Sequence, residues 1–254
     1  MRIIACFKVV PDDRDIIVRD GGQLDFSKAK LTLSSYDLNA VEAAVQLIEA
    51  EGGSCTVVTV GPASIDDSKL KKNILSRGPD DLYMVADDAC TDLDAHSTAR
   101  ALVEAIKQVG DADLILFGDG SADLYAQQVG IQVGALLGLP TVNCAASLAV
   151  EGGTLIVERA LEDETETLAV PLPAVVCVTS DINLPRIAGM KQILAAGKKP
   201  QTVVGADAIG FAPAATVDVL KTVAPELGNR RNDIIEGDSP DAIAAFVGKL
   251  KEAL

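Results

Sequence analysis

Through its first 140 residues the chain alternates short apolar runs with longer amphipathic stretches, and this pattern constrains the fold more than any other feature of the sequence. Few organisations other than a parallel sheet flanked by helices satisfy it. The runs at 3–7, 55–60, 82–85 and 114–117 are rich in branched residues and lack polar alternation, as strands covered on both faces do. Between the first two runs, Leu38, Val41, Val45 and Ile48 recur at helical spacing, with Ser34, Ser35 and Asp37 available as caps and Gly52-Gly53 as a stop. Ser64 and Asp67 predict the opening of a second helix that ends at Gly78-Pro79. A third is expected from about 94 to 109, before Gly110, and a fourth from about 123 to 137, before Gly138. The expectation is an α/β protein with a mostly parallel sheet built on a four-strand core.

The texture changes after Pro140. Residues 155–157 and 168–170 read as hairpin strands bracketing the acidic run Glu162-Asp163-Glu164-Thr165-Glu166, and 174–178 as a further buried strand extending the sheet. Beyond Asp181 the periodicity is weak, with Pro185, Gly189, Gly197 and Lys198-Lys199-Pro200, so a long loop and an extended arm through Phe211-Ala212-Pro213 are expected. Ser239-Pro240-Asp241 caps a last helix with an apolar face of Ile243, Phe246, Val247 and Leu250. The division read from this is 1–200 as one domain and 201–254 as a C-terminal arm and helix. The apolar residues in 211–223 and 243–250 call for a partner surface to cover them.

Several classes of function are disfavoured. Acidic side chains outnumber basic ones 37 to 22, for a formal charge of −15, the opposite of a nucleic-acid binder. The longest apolar run, 169–178, contains two prolines and is too short to span a bilayer. Lys8 and Asp12 interrupt the opening apolar stretch too early for a signal peptide, so a cytoplasmic protein without direct membrane insertion is expected. The five cysteines are scattered and His96 is the one histidine, which disfavours a disulfide framework or a zinc site. Cys6, Cys55 and Cys177 sit in or beside β-branched runs and read as small buried hydrophobes. His96, near a helix start, reads as a solvated or capping residue. No side chain stands out as a nucleophile, metal ligand or proton donor.

The most informative segment joins the fourth run to the helix after it. Gly118, Asp119, Gly120 and Ser121 form a glycine-rich turn, followed by Asp123, Gln127, Gln128, Val129 and Gly130. Such a turn offers free N–H groups and a helix dipole to an anion, which suits a nucleotide phosphate. It is neither Gly-x-Gly-x-x-Gly nor a Walker loop, and the glycines are equally explained by a tight strand-to-helix turn. Cys6 and Lys8 after the first run, and Val60 after the second, are expected at the same sheet edge. Ser34, Ser35, Tyr36 and Asp37 either cap a helix or bind an adenosine. Met190, beside Gly189 and Lys191, reads as part of a mobile, partly exposed segment.

The run Val157-Glu158-Arg159-Ala160 through Glu162-Asp163-Glu164 to Leu168 and the proline-led Pro173-Ala174-Val175-Val176-Cys177 resembles the signature of the electron transfer flavoprotein β subunit. The opening Ile3-Ile4-Ala5-Cys6-Phe7-Lys8, Asn39-Ala40-Val41-Glu42, Gly61-Pro62-Ala63 and Asp181 through Arg186 to Met190 fall in that family's order. The resemblance implies a Rossmann-like fold and a heterodimer with an α subunit that carries a redox FAD. It assigns Cys6, Ser34 to Asp37, Val60 and Gly118 to Val129 to an adenine nucleotide, and the loop around Met190, with Ile187 and Ile193 flanking it, to docking of partner dehydrogenases. Most β subunits bind AMP, whereas an electron-bifurcating branch binds a second FAD in the same pocket. Gln127-Gln128-Val129-Gly130 is most similar to the nitrogen-fixation-associated type of that branch, so FAD is expected, with AMP as the alternative. The partners implied are an acyl-CoA dehydrogenase or quinone oxidoreductase, NADH as electron donor, and ferredoxin or flavodoxin as a low-potential acceptor. Lys8 or a nearby N–H would then stabilise an anionic reduced flavin. A reading of another class is a stand-alone ATP- or AMP-binding protein, needing neither flavin nor partner.

Overall fold

The structure is a computed structural model, which describes residues 1–214, 216–225 and 232–253. The chain divides into two compact units, one of residues 1–17 and 25–221, the other of 18–24 and 222–254.

The larger unit is built on a nine-stranded sheet. Its strands are β1 (Arg2–Cys6), β2 (Ser54–Gly61), β3 (Asp81–Ala86), β4 (Leu114–Gly118), β5 (Thr141–Glu151), β6 (Thr154–Ala160), β7 (Thr165–Val170), β8 (Ala174–Val178) and β9 (Gln201–Val204). Their order is β7-β6-β5-β8-β4-β1-β2-β3-β9. All neighbouring pairs from β5 to β9 are parallel, and β6 and β7 extend the sheet as antiparallel partners. Helices α1 (Ser35–Glu51) and α2 (Ser68–Leu75) cover one face, α3 (Ala95–Val109) and α4 (Val129–Leu137) the other, and α5 (Met190–Ala196) precedes β9. This is the mostly parallel, doubly wound α/β architecture that the alternating pattern predicts.

The burial explains the strand composition. Ile3, Ala5, Val57 and Leu116 join the core under α1, while Ile4, Cys6, Val58 and Ile115 join the core under α3 and α4, so each central strand is apolar on both faces. Cys6, Cys55 and Cys177 are buried as small apolar residues. Burial pushes the thiols of Cys55 and Cys177 up to about 12.

Four expectations are corrected. The fourth helix starts at Val129, not near 123, because the backbone of Tyr125 and Gln127 is left-handed and 122–128 cannot continue a helical turn. The second helix starts at Ser68, with the Asp67 carboxylate accepting from the N–H groups of Lys69 and Leu70, and Ser64 lies in a separate 3-10 turn. It ends at Leu75 rather than Gly78. The sheet has more than a four-strand core and its hairpin. Strand β5 begins right after Pro140, and Gly152-Gly153, both at positive φ, make the two-residue turn that pairs β5 with β6. The stretch after Asp181 is not all loop: it contains α5 and the edge strand β9, and between them the Lys199 ammonium donates to the carbonyls of Leu75, Gly78 and Pro79 at the end of α2 and just beyond it. Phe211 is buried under the Arg100 guanidinium, and Ser97 and Asp94 of the α3 start hydrogen-bond Ala214 and Thr216.

In the smaller unit, Gln23 and Val223 form an isolated bridge, and α6 (Pro240–Ala253) is capped by the Ser239 hydroxyl accepting from the Ala242 N–H. Ile243, Phe246, Val247 and Leu250 are all exposed on it.

Candidate functional site

From β1 the chain winds outward to β2 and β3, then crosses back to β4 on the other side of β1. The winding therefore reverses between β1 and β4, and the crevice beyond their carboxyl ends is where open α/β sheets hold ligands. Lys8 and the Gly118–Gly120 turn are the residues that the two strands deliver there. A concavity of about 630 Å³ lies at the opposite edge, lined by Arg2, Asp113, Leu139 and Pro173. The donors and the topology, rather than size, single out the crevice.

Asp37, in the first turn of α1, forms its floor. One carboxylate oxygen accepts the Lys8 N–H at 2.8 Å and the other the Gly118 N–H at 3.2 Å, so a single buried side chain ties β1 to β4. Ser34 hydrogen-bonds Asp37, and its hydroxyl oxygen accepts the Ala122 N–H at 3.3 Å. Burial pushes the Asp37 carboxyl up to about 7, against the pull of these donors. Gly118 is required by this packing: a Cβ there would lie 2.7 Å from both the Asp37 carboxylate and the Tyr36 backbone.

Above the floor, the Lys8 ammonium meets Asp123 at 2.6 Å, and the Ser121 hydroxyl and Leu124 N–H donate to the other Asp123 oxygen. Burial would raise the Asp123 carboxyl, but the bonds from Lys8 and Ser121 outweigh it and hold the group below its ordinary value. Asp119 accepts from the Tyr125 hydroxyl at 3.2 Å and the Gln127 amide at 2.7 Å. The Tyr125 ring lies across Gly120, where a Cβ would be 2.2 Å from it, and packs at 4.9 Å against Tyr36. The left-handed backbone at Tyr125 and Gln127 folds this segment over the turn.

The expected residues separate into two groups. Lys8, Ser34, Tyr36, Asp37, Gly118, Asp119, Gly120, Ser121, Asp123 and Gln127 are brought together at the switch point. Ser35 is the exposed first residue of α1, and Val60 is half-buried at the end of β2. The Cys6 side chain faces the sheet interior, and burial raises its thiol well above the ordinary value. Gln128 stands at the α4 N-cap and accepts from Gln132, which in turn bonds His96 Nδ1 at 3.0 Å. Val129 and Gly130 begin α4, whose first-turn N–H groups have no intrahelical acceptors. Gly130 also lets α4 approach the sheet, since a Cβ would meet the Cys177 sulfur at 2.4 Å. Tyr125 lies within the stretch Gly118 to Val129 that the resemblance assigns to a nucleotide but is not singled out in it; an aromatic four residues before a helix start carries no signal of its own.

The docking candidates are well exposed: Ile187 at 94%, Met190 at 73% and Ile193 at 41%. Their base is rigid. Arg186 bonds the buried Glu42 at 2.8 Å and the exposed Glu49 at 2.7 Å, while Asn39 and Asn183 exchange side-chain to backbone hydrogen bonds.

A doubly wound sheet with a glycine turn at its switch point places the chain in the Rossmann-like α/β class. Within it, the electron transfer flavoprotein domain matches residues 22–209, and the chain belongs to that family. Its role is accordingly that of an electron transfer flavoprotein.

Proposed function

We propose that the chain is the β subunit of a heterodimeric electron transfer flavoprotein of the electron-bifurcating, nitrogen-fixation-associated type, with FAD at the switch point. The observation that carries the reading is the Gly118–Gly120 turn in the β1/β4 crevice, followed by the open first turn of α4, in a chain of this family.

The residues present are compatible with a nucleotide. Gly118 and Gly120 let Asp37 and the Tyr125 ring close against the turn, the start of α4 supplies N–H donors, and Tyr36 with Tyr125 supplies an aromatic surface for a planar ring. Tyr36, Tyr125 and the start of α4 would hold FAD, which would supply hydride acceptance from NADH and one-electron transfer towards ferredoxin or flavodoxin and the α subunit. The protein's part is to hold and orient: Asp37 fixes the two strand ends, Ser34 fixes the turn at Ala122, and Lys8 supplies the site's cation. Residues 181–200 dock an acyl-CoA dehydrogenase or quinone oxidoreductase through Met190 and Ile187, while the arm and helix of 201–254 embrace the α subunit in the cytoplasm. The exposed apolar face of α6 supports that division of labour.

Flavin and nucleotide quantitation on the native heterodimer tests the reading. Two FAD per αβ pair is the expected result. One FAD and one AMP would replace it with a non-bifurcating β subunit, and ATP bound to the chain without flavin or partner would replace it with a stand-alone nucleotide-binding protein.

A further inference from the structure

We propose that Asp119 selects the ligand by charge: the turn accepts a nucleoside, or a nucleotide whose phosphates are diesters, and disfavours one ending in a phosphate monoester. The inference rests on the adenine-nucleotide reading of the site.

A glycine turn at a helix start ordinarily attracts anions through its N–H groups and the helix dipole. Here two carboxylates, Asp119 and Asp123, lie in the turn above Asp37, whose carboxyl burial pushes up to about 7, and the Lys8 ammonium is engaged by Asp123. Among the described residues, the donors to the Asp119 side chain are Tyr125 and Gln127, both uncharged. No cation among the described residues bonds the Asp119 carboxylate directly. Burial raises the Cys144 and Cys177 thiols and the Tyr125 phenol, and Asp119 adds to each, opposed at Cys144 by Arg159.

Near neutral pH a phosphate monoester carries close to two charges on one phosphorus, whereas each phosphate of a dinucleotide pyrophosphate carries one. The monoester holds its two charges on one phosphorus while the pyrophosphate spreads the same two over neighbouring phosphorus atoms, so a carboxylate beside one phosphate penalises the monoester more. The turn is thus poorly matched to AMP or ATP and better matched to FAD.

The test titrates the full chain, freed of bound nucleotide, with adenosine, AMP and FAD by calorimetry, as wild type and as Asp119→Asn. The amide oxygen of Asn can still accept from Tyr125 and Gln127, so the loop has a route to its present shape. Wild type is expected to bind AMP no more tightly than adenosine. Asp119→Asn should tighten AMP about tenfold, tighten FAD less, and leave adenosine within about twofold, the size of effect one neighbouring charge produces. A wild-type affinity for AMP tenfold or more above that for adenosine would overturn the proposal, as would an unchanged AMP-to-adenosine ratio in the variant. Should the variant misfold, the wild-type ratio decides alone: raising NaCl screens repulsion and should favour AMP, and a ratio that falls with salt sinks the idea. Failure of all three ligands to bind wild type would remove the nucleotide reading and this inference together.

Discussion

The turn at 118–127 and the segment at 180–196 both hang on α1, yet they treat charge in opposite ways. In the segment, Arg186 is matched by Glu42 and Glu49, and the polar groups of Asn39 and Asn183 satisfy one another. The Arg186 charge is matched at the base, and large apolar side chains stand outside it: Leu184 at 90% and Ile187 at 94% exposed. In the turn, Asp123 takes the Lys8 ammonium, Asp119 is bonded by uncharged Tyr125 and Gln127, and the backbone is left-handed at two non-glycine positions. A satisfied polar base under exposed apolar side chains is a scaffold for a protein partner. An unbalanced polar cluster at a topological switch point is a setting for a small ligand.

The contrast is broken most forcefully at Arg186. Arg186→Met would leave the Glu42 carboxylate buried without its cation, at a cost of about 3 kcal/mol. Urea denaturation should register that loss; a change under about 1 kcal/mol would mean that the segment is not anchored through this pair.

Asp37 comes next, and its sign is distinctive. Its folded value of about 7 lies above the unfolded value of about 3.9, so the folded chain keeps the proton longer. The stabilisation is complete below the unfolded value and is lost as pH rises through 7. Relative to wild type, Asp37→Asn should gain roughly 2 kcal/mol between pH 5 and pH 8, superimposed on a constant cost for one lost backbone acceptor. A pH-independent difference in urea midpoint would show that Asp37 ionises normally.

At Met190 the expected effect lies in docking alone. Met190→Ala should weaken partner binding about tenfold and shift stability by less than about 0.5 kcal/mol, because the side chain is mostly in solvent. A loss of stability with unchanged partner electron transfer would make it a packing residue instead.

The smallest effect is expected at Lys8. Its pair with Asp123 is partly exposed, so Lys8→Met should cost under about 1 kcal/mol in stability. Flavin or nucleotide retention should fall by more than that figure implies, since the variant strips the turn of its cation. Equal retention in wild type and variant would place Lys8 outside the site.

The sequence by itself determined the doubly wound sheet. Ile3, Ile4, Val57, Val58, Leu116 and Ile115 are apolar at successive positions, and only strands covered on both faces require that. It also marked Gly118 and Gly120 as the turn that leaves β4, whereas the packing of Asp37, Tyr36 and Tyr125 that excludes a Cβ there is tertiary. Tertiary structure decided where β5 and β9 go, since edge and hairpin strands carry weak periodicity and are fixed by neighbours such as α2 and β6. It also decided the character of the site. Asp37, Asp119 and Asp123 are separated by as much as 86 positions in the chain, and nothing local reveals that they gather at one turn. Helix caps and solvated loops use the same residue types, and their electrostatics depend on distances that only the folded chain sets.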